Sequence, residues 1–167
     1  MAPELEREYE ATLESIVKEG YEMLENGATA LDVVEKTVQL LENTPLFNAG
    51  KGAVFAADGT HEMDAAIMEG KELKAGAVSL VTGIKNPVSL ARDVMENSHH
   101  VFLAGEGAMK FAEHRGYALE VPEYFYDEVR HRQWQEIKDV DTFELDRNEN
   151  AIPVSYTHLT LPTILLV

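Results

Sequence analysis

The chain of 167 residues contains no cysteine, which excludes disulfide bonds, thiolate metal sites and cysteine nucleophiles. Basic residues are also scarce: 14 lysines and arginines stand against 30 aspartates and glutamates, a formal net charge of -16 at pH 7. Such a negative field repels phosphate backbones and anionic lipids, which argues against nucleic-acid or membrane-surface binding as the main role. No uninterrupted apolar run approaches the roughly 20 residues that a membrane-spanning helix requires.

The composition and the length favour one ordinary globular domain. Hydrophobic residues make up 45% of the chain, and a chain of this length can bury a sizeable core. The N-terminal residues follow the pattern of an acidic helix and lack the basic start and apolar centre of a signal peptide. We therefore expect a cytoplasmic location, with neither membrane nor nucleic acid among the partners.

Two amphipathic helices are predicted before Pro45. Apolar residues recur at helical spacing from the start of the chain to Asn26-Gly27, a typical helix end. Thr29 followed by Asp32 resembles a capping box and predicts the start of the second helix, which ends before the proline. The apolar faces consist of Leu5, Tyr9, Leu13, Ile16, Val17 and Leu24 in the first helix and of Leu31, Val34, Val38 and Leu41 in the second.

Short apolar runs predict a sheet after this helical pair. Residues 53–55 and 63–68 flank Asp58-Gly59, a strong hairpin signal. A third run, over residues 75–81, is mostly small and β-branched and predicts a strand buried on both faces. Helices and strands together predict the α+β fold class.

The second half of the chain continues this alternation. Pro87 suits the first turn of a helix, and Asn86 before it is a natural cap. A fourth strand is predicted over residues 101–104, a helix over 108–115 and, from a weaker pattern, one more helix over 124–137. The aromatic residues expected to lie in the core under a loop are Tyr124, Phe125, Tyr126 and Trp134.

The composition changes near the C-terminus. We assign residues 1–153 to the domain and expect its charged end, residues 139–153, to be a mobile linker. Residues 154–167 contain no aspartate, glutamate, lysine or arginine and resemble translated adapter read-through, so we leave them out of the fold prediction. A genuine C-terminal strand is the alternative.

The loop after the second helix carries the candidate site. Pro45 and the glycines Gly50 and Gly52 force the backbone into a curl, next to a helix end whose carbonyl groups need partners. A curl of inward carbonyls can hold a hard cation without side-chain carboxylates, whereas a hydrogen-bonded Ω loop is the commoner outcome. Asn48, next to the apolar Phe47, is predicted to be a buried amide that serves either as a structural brace or as a substrate contact.

Several separated motifs, in a fixed order, resemble one known family. They are PLFNAGKGAVF from residue 45, GTHEMDAAIMEG from residue 59, KAGAV from residue 74, NPVSLAR from residue 86 and GEGA from residue 105. Across residues 5–145 the chain resembles the α-subunit of plant-type L-asparaginase/isoaspartyl aminopeptidase, an N-terminal-nucleophile hydrolase.

This resemblance implies a fold and an activity. The family fold is a four-layer αββα sandwich, and this chain would hold only its α-subunit part. The family precursor cuts itself before a threonine, whose hydroxyl then attacks the side-chain amide of asparagine or a β-aspartyl peptide bond, with its own α-amine as the base. The implied partners are the β-subunit and a second αβ pair, which together form a dimer of heterodimers, and a small-molecule or dipeptide substrate.

The resemblance also implies site residues and a structural sodium ion, with no organic cofactor. Asn48 matches the family asparagine that lies beside the nucleophile. The main-chain carbonyls expected to bind sodium belong to Leu41, Glu42, Thr44, Phe47, Ala49 and Lys51.

Two departures from the family pattern qualify the expected activity. The strand and the His-Gly-Gly-Ala-Gly loop that open the family sequence do not precede the first helix here, and Gly59-Thr60 falls in a predicted turn rather than at a cleavage site. We therefore expect a fragment without its nucleophilic threonine, inactive alone. The alternatives are a stand-alone, non-catalytic binding or assembly module, or the α-part of a glycosylasparaginase-like or threonine-aspartase relative.

Overall fold

Helices and three strands make up the fold of residues 2–138, the part of the chain that the computed structural model describes. The elements are α1 (Pro3–Glu25), α2 (Ala30–Glu42), a single 3-10 turn (Gly50–Gly52), β1 (Met63–Glu69), β2 (Lys74–Val81), α3 (Pro87–Asn97), β3 (Phe102–Ala104), α4 (Gly105–His114), α5 (Pro122–Phe125) and α6 (Glu128–Ile137). The predicted α+β class is confirmed. The predicted linker over 139–153 and the predicted foreign tail over 154–167 lie outside the described residues.

The two N-terminal helices are confirmed, together with the signals that bound them. Gly27 adopts a left-handed conformation (φ 83°) after the end of α1. The Thr29 side chain accepts a hydrogen bond from the Asp32 N–H at 3.2 Å, which caps α2. The helices approach closely at Gly20, where a Cβ would lie 3.0 Å from the Thr37 methyl group.

The described strands form one sheet in the order β1-β2-β3, with β1 antiparallel and β3 parallel to β2. The hairpin predicted around Asp58-Gly59 is wrong, because residues 53–55 are not a strand and β1 pairs with β2 instead. The turn that joins these two strands is stabilised by the Glu69 carboxylate, which accepts hydrogen bonds from the Lys71 and Glu72 N–H groups, both at 2.7 Å.

The Asp58-Gly59 signal does produce a turn, but a local one. Asp58 Oδ1 accepts from the Thr60 N–H at 3.0 Å and from the Thr60 hydroxyl at 2.7 Å, and Gly59 has φ 84°. The predicted turn at Asp58-Gly59 therefore forms, whereas the predicted pairing of the segments on its two sides does not.

Helix α3 covers one face of the sheet and forms the core with it. Gly76 of β2 lies so close to α3 that an added Cβ would be 2.1 Å from the Ala91 carbonyl oxygen. Burial on both faces of β2 was predicted, but burial alternates along the strand, and Leu80 is exposed. The alternation follows from the packing of α3 on one face, whereas Leu80 is exposed because it has φ 55° at the point where the β1–β2 register shifts. The largest fully buried side chains are Phe125, Ile84, Leu90, Val78, Val81, Val88, Val94 and Pro87.

The helices after β3 differ in detail from the prediction. Helix α4 begins directly at Gly105, three residues earlier than expected. Two helices form in place of the single helix predicted over 124–137. Tyr126 is extended, and Asp127 starts a new helix by accepting a hydrogen bond from the Arg130 N–H at 2.9 Å. Within residues 2–138, no helix is long and apolar enough to cross a bilayer.

The contact at Gly76 gives a stability prediction. Gly76→Ala should lower the free energy of unfolding by about 1–3 kcal/mol, because the new methyl group would push α3 away from β2. Gly107→Ala is the matched control, since no heavy atom lies within 4 Å of a Cβ built there, and we expect it to be neutral or stabilising by up to about 1 kcal/mol. Urea unfolding followed by circular dichroism measures both, and equal midpoints would contradict the packing.

Candidate functional site

The loop between α2 and the 3-10 turn is anchored on α1. The Phe47 ring is buried edge-on against the Tyr9 ring, with 5.4 Å between their centroids, and the Tyr9 hydroxyl donates to the Leu46 carbonyl oxygen. Gly50 has φ 52°, and a Cβ on it would lie 2.4 Å from the Glu42 carbonyl oxygen. A Cβ on Gly52 would lie 2.1 Å from the Phe47 carbonyl oxygen. Only glycines therefore allow the loop to fold this tightly over those two carbonyl groups.

Three of the six carbonyls predicted to bind sodium accept a hydrogen bond within the loop. Leu41 O accepts from the Thr44 N–H at 3.4 Å, Phe47 O from the Ala49 N–H at 2.8 Å, and Ala49 O from the Gly52 N–H at 3.1 Å. A carbonyl oxygen has two lone pairs, so each of these bonds leaves one for a cation. The space that the absent Cβ atoms leave against the Glu42 and Phe47 oxygens fits a cation held by main-chain oxygens.

Side chains offer no competing metal centre in the described part of the chain. Within residues 2–138, no group of three or more histidine, aspartate or glutamate side chains could hold a metal ion. The Lys51 ammonium lies 5.6 Å from the centre of the Tyr124 ring, and the Lys85 ammonium lies at the same distance from that ring. A cation at this loop would therefore depend on carbonyl oxygens.

The Glu42 side chain has a second role, which the sequence did not reveal. The residue is 3% exposed, and its two carboxylate oxygens accept from the Val88 N–H and from the Asn86 side-chain amide, both at 3.0 Å. Asn86 was predicted to cap α3, but its side chain makes no cap hydrogen bond, and Glu42 satisfies the helix terminus instead. Burial raises the pKa of Glu42 to about 7, against the opposing effect of these two hydrogen bonds.

Asn48 is exposed, so the prediction of a buried amide is wrong. Phe47 points into the protein, and the next side chain along the loop points the other way. Asn48 Oδ1 accepts from the Val54 N–H at 3.0 Å, which closes the loop and orients the amide. Because this bond uses only the oxygen, the Nδ2 group can donate to a second partner.

His61 braces the far end of the loop, a role that sequence reasoning missed. Its Nδ1 lies 3.1 Å from the Ala53 carbonyl oxygen and 3.3 Å from that of Val54, and its ring packs on Phe55. Burial lowers the pKa of His61, which favours a neutral ring with the proton on Nδ1. Of the predicted aromatic core, Phe125 is buried and packs on His61, and Tyr124 and Trp134 are half-buried. The prediction is wrong for Tyr126, which is exposed.

Removal of the Glu42 carboxylate should destabilise the protein. Glu42→Ala leaves the Val88 N–H and the Asn86 amide without their acceptor, at a cost of about 1–3 kcal/mol, whereas Glu42→Gln retains one acceptor oxygen and should cost less. Glu22→Ala, which removes an exposed ion pair with Lys18, should change stability by less than about 1 kcal/mol. Urea unfolding measures all three, and a neutral Glu42→Ala would show that the buried contact contributes nothing.

Known proteins resemble this chain over most of its length. The Asparaginase_2 family, described as Asparaginase, matches residues 1–159. The chain is 47% identical over 148 residues to the isoaspartyl peptidase of Salmonella typhimurium, covering 89% of this chain and 47% of that protein. It is 52% identical over 133 residues to the isoaspartyl peptidase of Escherichia coli, covering 80% of this chain and 41% of that protein.

The sequence identity to an archaeal relative is similar. The plant-type L-asparaginase of Pyrococcus abyssi is 53% identical over 121 residues, which are 72% of this chain and 38% of that protein. The chain thus spans less than half the length of these relatives. Since the family match extends over nearly the whole sequence, in agreement with the motifs around the loop, the chain belongs to the Asparaginase_2 family.

Proposed function

We propose that this chain is part of a hydrolase that cleaves the side-chain amide of L-asparagine and β-aspartyl peptide bonds. The observation that carries the proposal is the identity of 47–53% to relatives named isoaspartyl peptidase and plant-type L-asparaginase. Because the chain covers less than half of each relative, the active protein would contain further polypeptide. We expect it to be a β-subunit and, in the assembled enzyme, a second αβ pair in an αββα sandwich.

In this proposal the nucleophile is a threonine that self-cleavage exposes at a new N-terminus, outside this chain. Its α-amine takes the hydroxyl proton, and the hydroxyl oxygen attacks the side-chain carbonyl carbon of the substrate. The C–N bond then breaks, the amine leaves with a proton, and water hydrolyses the remaining ester to aspartate. This chain alone would be inactive.

Asn48 would be this chain's contribution beside the reacting atoms. Its amide is exposed and is oriented through Oδ1 by the Val54 N–H, so Nδ2 is free of that bond and would donate to the nucleophile or substrate. The buried Glu42 carboxylate and the two loop glycines would hold the backbone that carries Asn48. The loop would also bind a structural sodium ion through the main-chain carbonyls of Leu41, Glu42, Thr44, Phe47, Ala49 and Lys51.

A fusion tests the proposed activity. The fusion consists of residues 1–138, preceded by the opening strand and loop of the family pattern and followed by the part of the Salmonella typhimurium relative that lies beyond the residue aligned with Lys138. It should cleave itself and release aspartate from a β-aspartyl dipeptide. Asn48→Asp keeps the oxygen for the Val54 N–H but removes the Nδ2 donor, and should lower kcat on the order of 10²-fold. Asn97→Ala, on the exposed end of α3, is the matched control and should leave kcat unchanged.

A folded fusion without self-cleavage or product would contradict the proposed hydrolase. That result would favour a stand-alone binding or assembly module. Equal kcat values for Asn48→Asp and Asn97→Ala would remove Asn48 from the mechanism and leave the reaction class intact.

The sodium loop predicts a specific salt effect. Replacing choline chloride by sodium chloride at constant ionic strength should raise the free energy of unfolding, by about 1.4 kcal/mol for each tenfold increase in sodium above its Kd. Gly50→Ala, whose methyl group would meet the Glu42 carbonyl oxygen, should abolish this response. Thermal melting measures both, and identical melting in the two salts would contradict a sodium site.

A further inference from the structure

Helix α6 carries two buried hydrogen-bond donors that find no acceptor in the described part of the chain. Arg130 is 7% exposed, and neither its Nη1 atom nor the Trp134 Nε1 atom has a hydrogen-bond partner within residues 2–138. The two residues are one helical turn apart, a spacing that places side chains on the same face of a helix. Within residues 2–138, two buried donors are thus left unsatisfied on one side of α6.

The surroundings of these donors are mainly aromatic. The Trp134 ring lies 5.7 Å from the Phe55 ring and 5.6 Å from the His131 ring, and a Cβ built on Gly59 would lie 3.2 Å from the indole. Such rings supply no strong acceptor for a guanidinium. A buried donor of a charged group without an acceptor costs about 1–3 kcal/mol or more, so a negatively charged partner would stabilise this site.

Arg92, in contrast, is an arginine whose guanidinium has carboxylate acceptors within the chain. Its guanidinium donates to Asp32, Glu35 and Glu96, at 2.7, 2.7 and 2.9 Å. Within the described residues Arg130 makes no ion pair, although α6 also carries Glu128 and Glu136, which balance the charges of its two arginines. The chemistry that complements the unpaired Arg130 guanidinium is a carboxylate.

An apolar rim lies next to the donors in sequence. Val121, Tyr126 and Val129 are 61%, 47% and 48% exposed. A buried polar anchor beside exposed apolar side chains is the usual composition of a protein interface, and a small anion would leave the rim uncovered. The relatives are more than twice as long as the aligned part of this chain, so a polypeptide partner large enough to cover the rim is expected in the complete protein.

We propose that Arg130 and Trp134 form a docking site for a carboxylate-bearing segment of the rest of the enzyme, beyond this chain. This inference rests on the proposed function only in assuming that such a remainder exists. The carboxylate accepts from the guanidinium and from the indole N–H, while the surface around it covers the apolar rim. Lys138, whose ammonium lies 5.1 Å from the Trp134 ring centre, is displaced as the segment enters.

The test compares the same substitutions in the 167-residue chain and in the fusion described above. In the chain, Trp134→Phe and Arg130→Met remove unsatisfied donors and should leave the melting temperature unchanged or higher. In the fusion, where the acceptor is present, each should lower the melting temperature by about 2–4 °C. Arg92→Met, which breaks contacts within the chain, is the matched control and should lower it in both proteins.

A direct readout uses the single tryptophan of the chain. With 15N-labelled indole, the chain gives one indole N–H resonance, which should move downfield and exchange more slowly with solvent in the fusion. An unchanged resonance, or unchanged melting of the Trp134→Phe fusion, would overturn the proposal. These readouts do not require catalysis, so a fusion that docks without hydrolysis would count against the proposed function and not against this site.

A control experiment tests whether the acidic residues that follow α6 in the sequence supply the acceptor. Replacing Asp139, Asp141, Glu144, Asp146 and Glu149 together by their amides should leave the indole resonance of the 167-residue chain where it was. A shift on this replacement would assign the acceptor to the chain's own C-terminal residues and overturn the proposal.

Discussion

The buried carboxylate of Glu42 is the contact on which the arrangement of the site depends. It lies at the end of α2, where the loop begins, and accepts from the Val88 N–H in the first turn of α3. Helix α3 in turn packs directly on the sheet at Gly76. One side chain therefore fixes the start of the loop relative to the helix that covers the sheet, and removing it would leave buried donors unpaired.

The remainder of the loop is held by contacts that require particular residues. Gly50 and Gly52 allow the backbone to pass over the Glu42 and Phe47 carbonyl oxygens, Asn48 closes the loop through the Val54 N–H, and His61 lies against the Ala53 and Val54 carbonyls. Together these contacts present an exposed, oriented amide beside a set of main-chain oxygens. That arrangement suits a part of an enzyme that positions groups while the reacting nucleophile comes from elsewhere.

Features encoded by neighbouring residues could be predicted from the sequence, whereas those set by distant contacts could not. The α1 and α2 boundaries and the Thr29 cap follow from local periodicity and capping chemistry. The Asp58-Gly59 turn also forms, but which strand pairs with β1 is decided by the Glu69 turn and by α3 packing. The cap on α3 comes from Glu42, 46 residues before Val88, and no local pattern reports it. The prediction that Asn48 is buried was wrong because it rested on the apolar neighbour Phe47, whereas the path of the loop decides which side chains are exposed.

Amide hydrogen exchange in the fused protein tests most directly whether side chains hold this loop in place. The Val88 and Val54 N–H groups lie outside the helix and strand ladders and are bound by Glu42 and Asn48. We expect both to be protected, and Glu42→Ala to accelerate exchange at Val88 and Val54 while the β1–β2 amides remain protected. Exchange of Val88 and Val54 at the rate of an unstructured peptide in the unsubstituted protein would contradict this account.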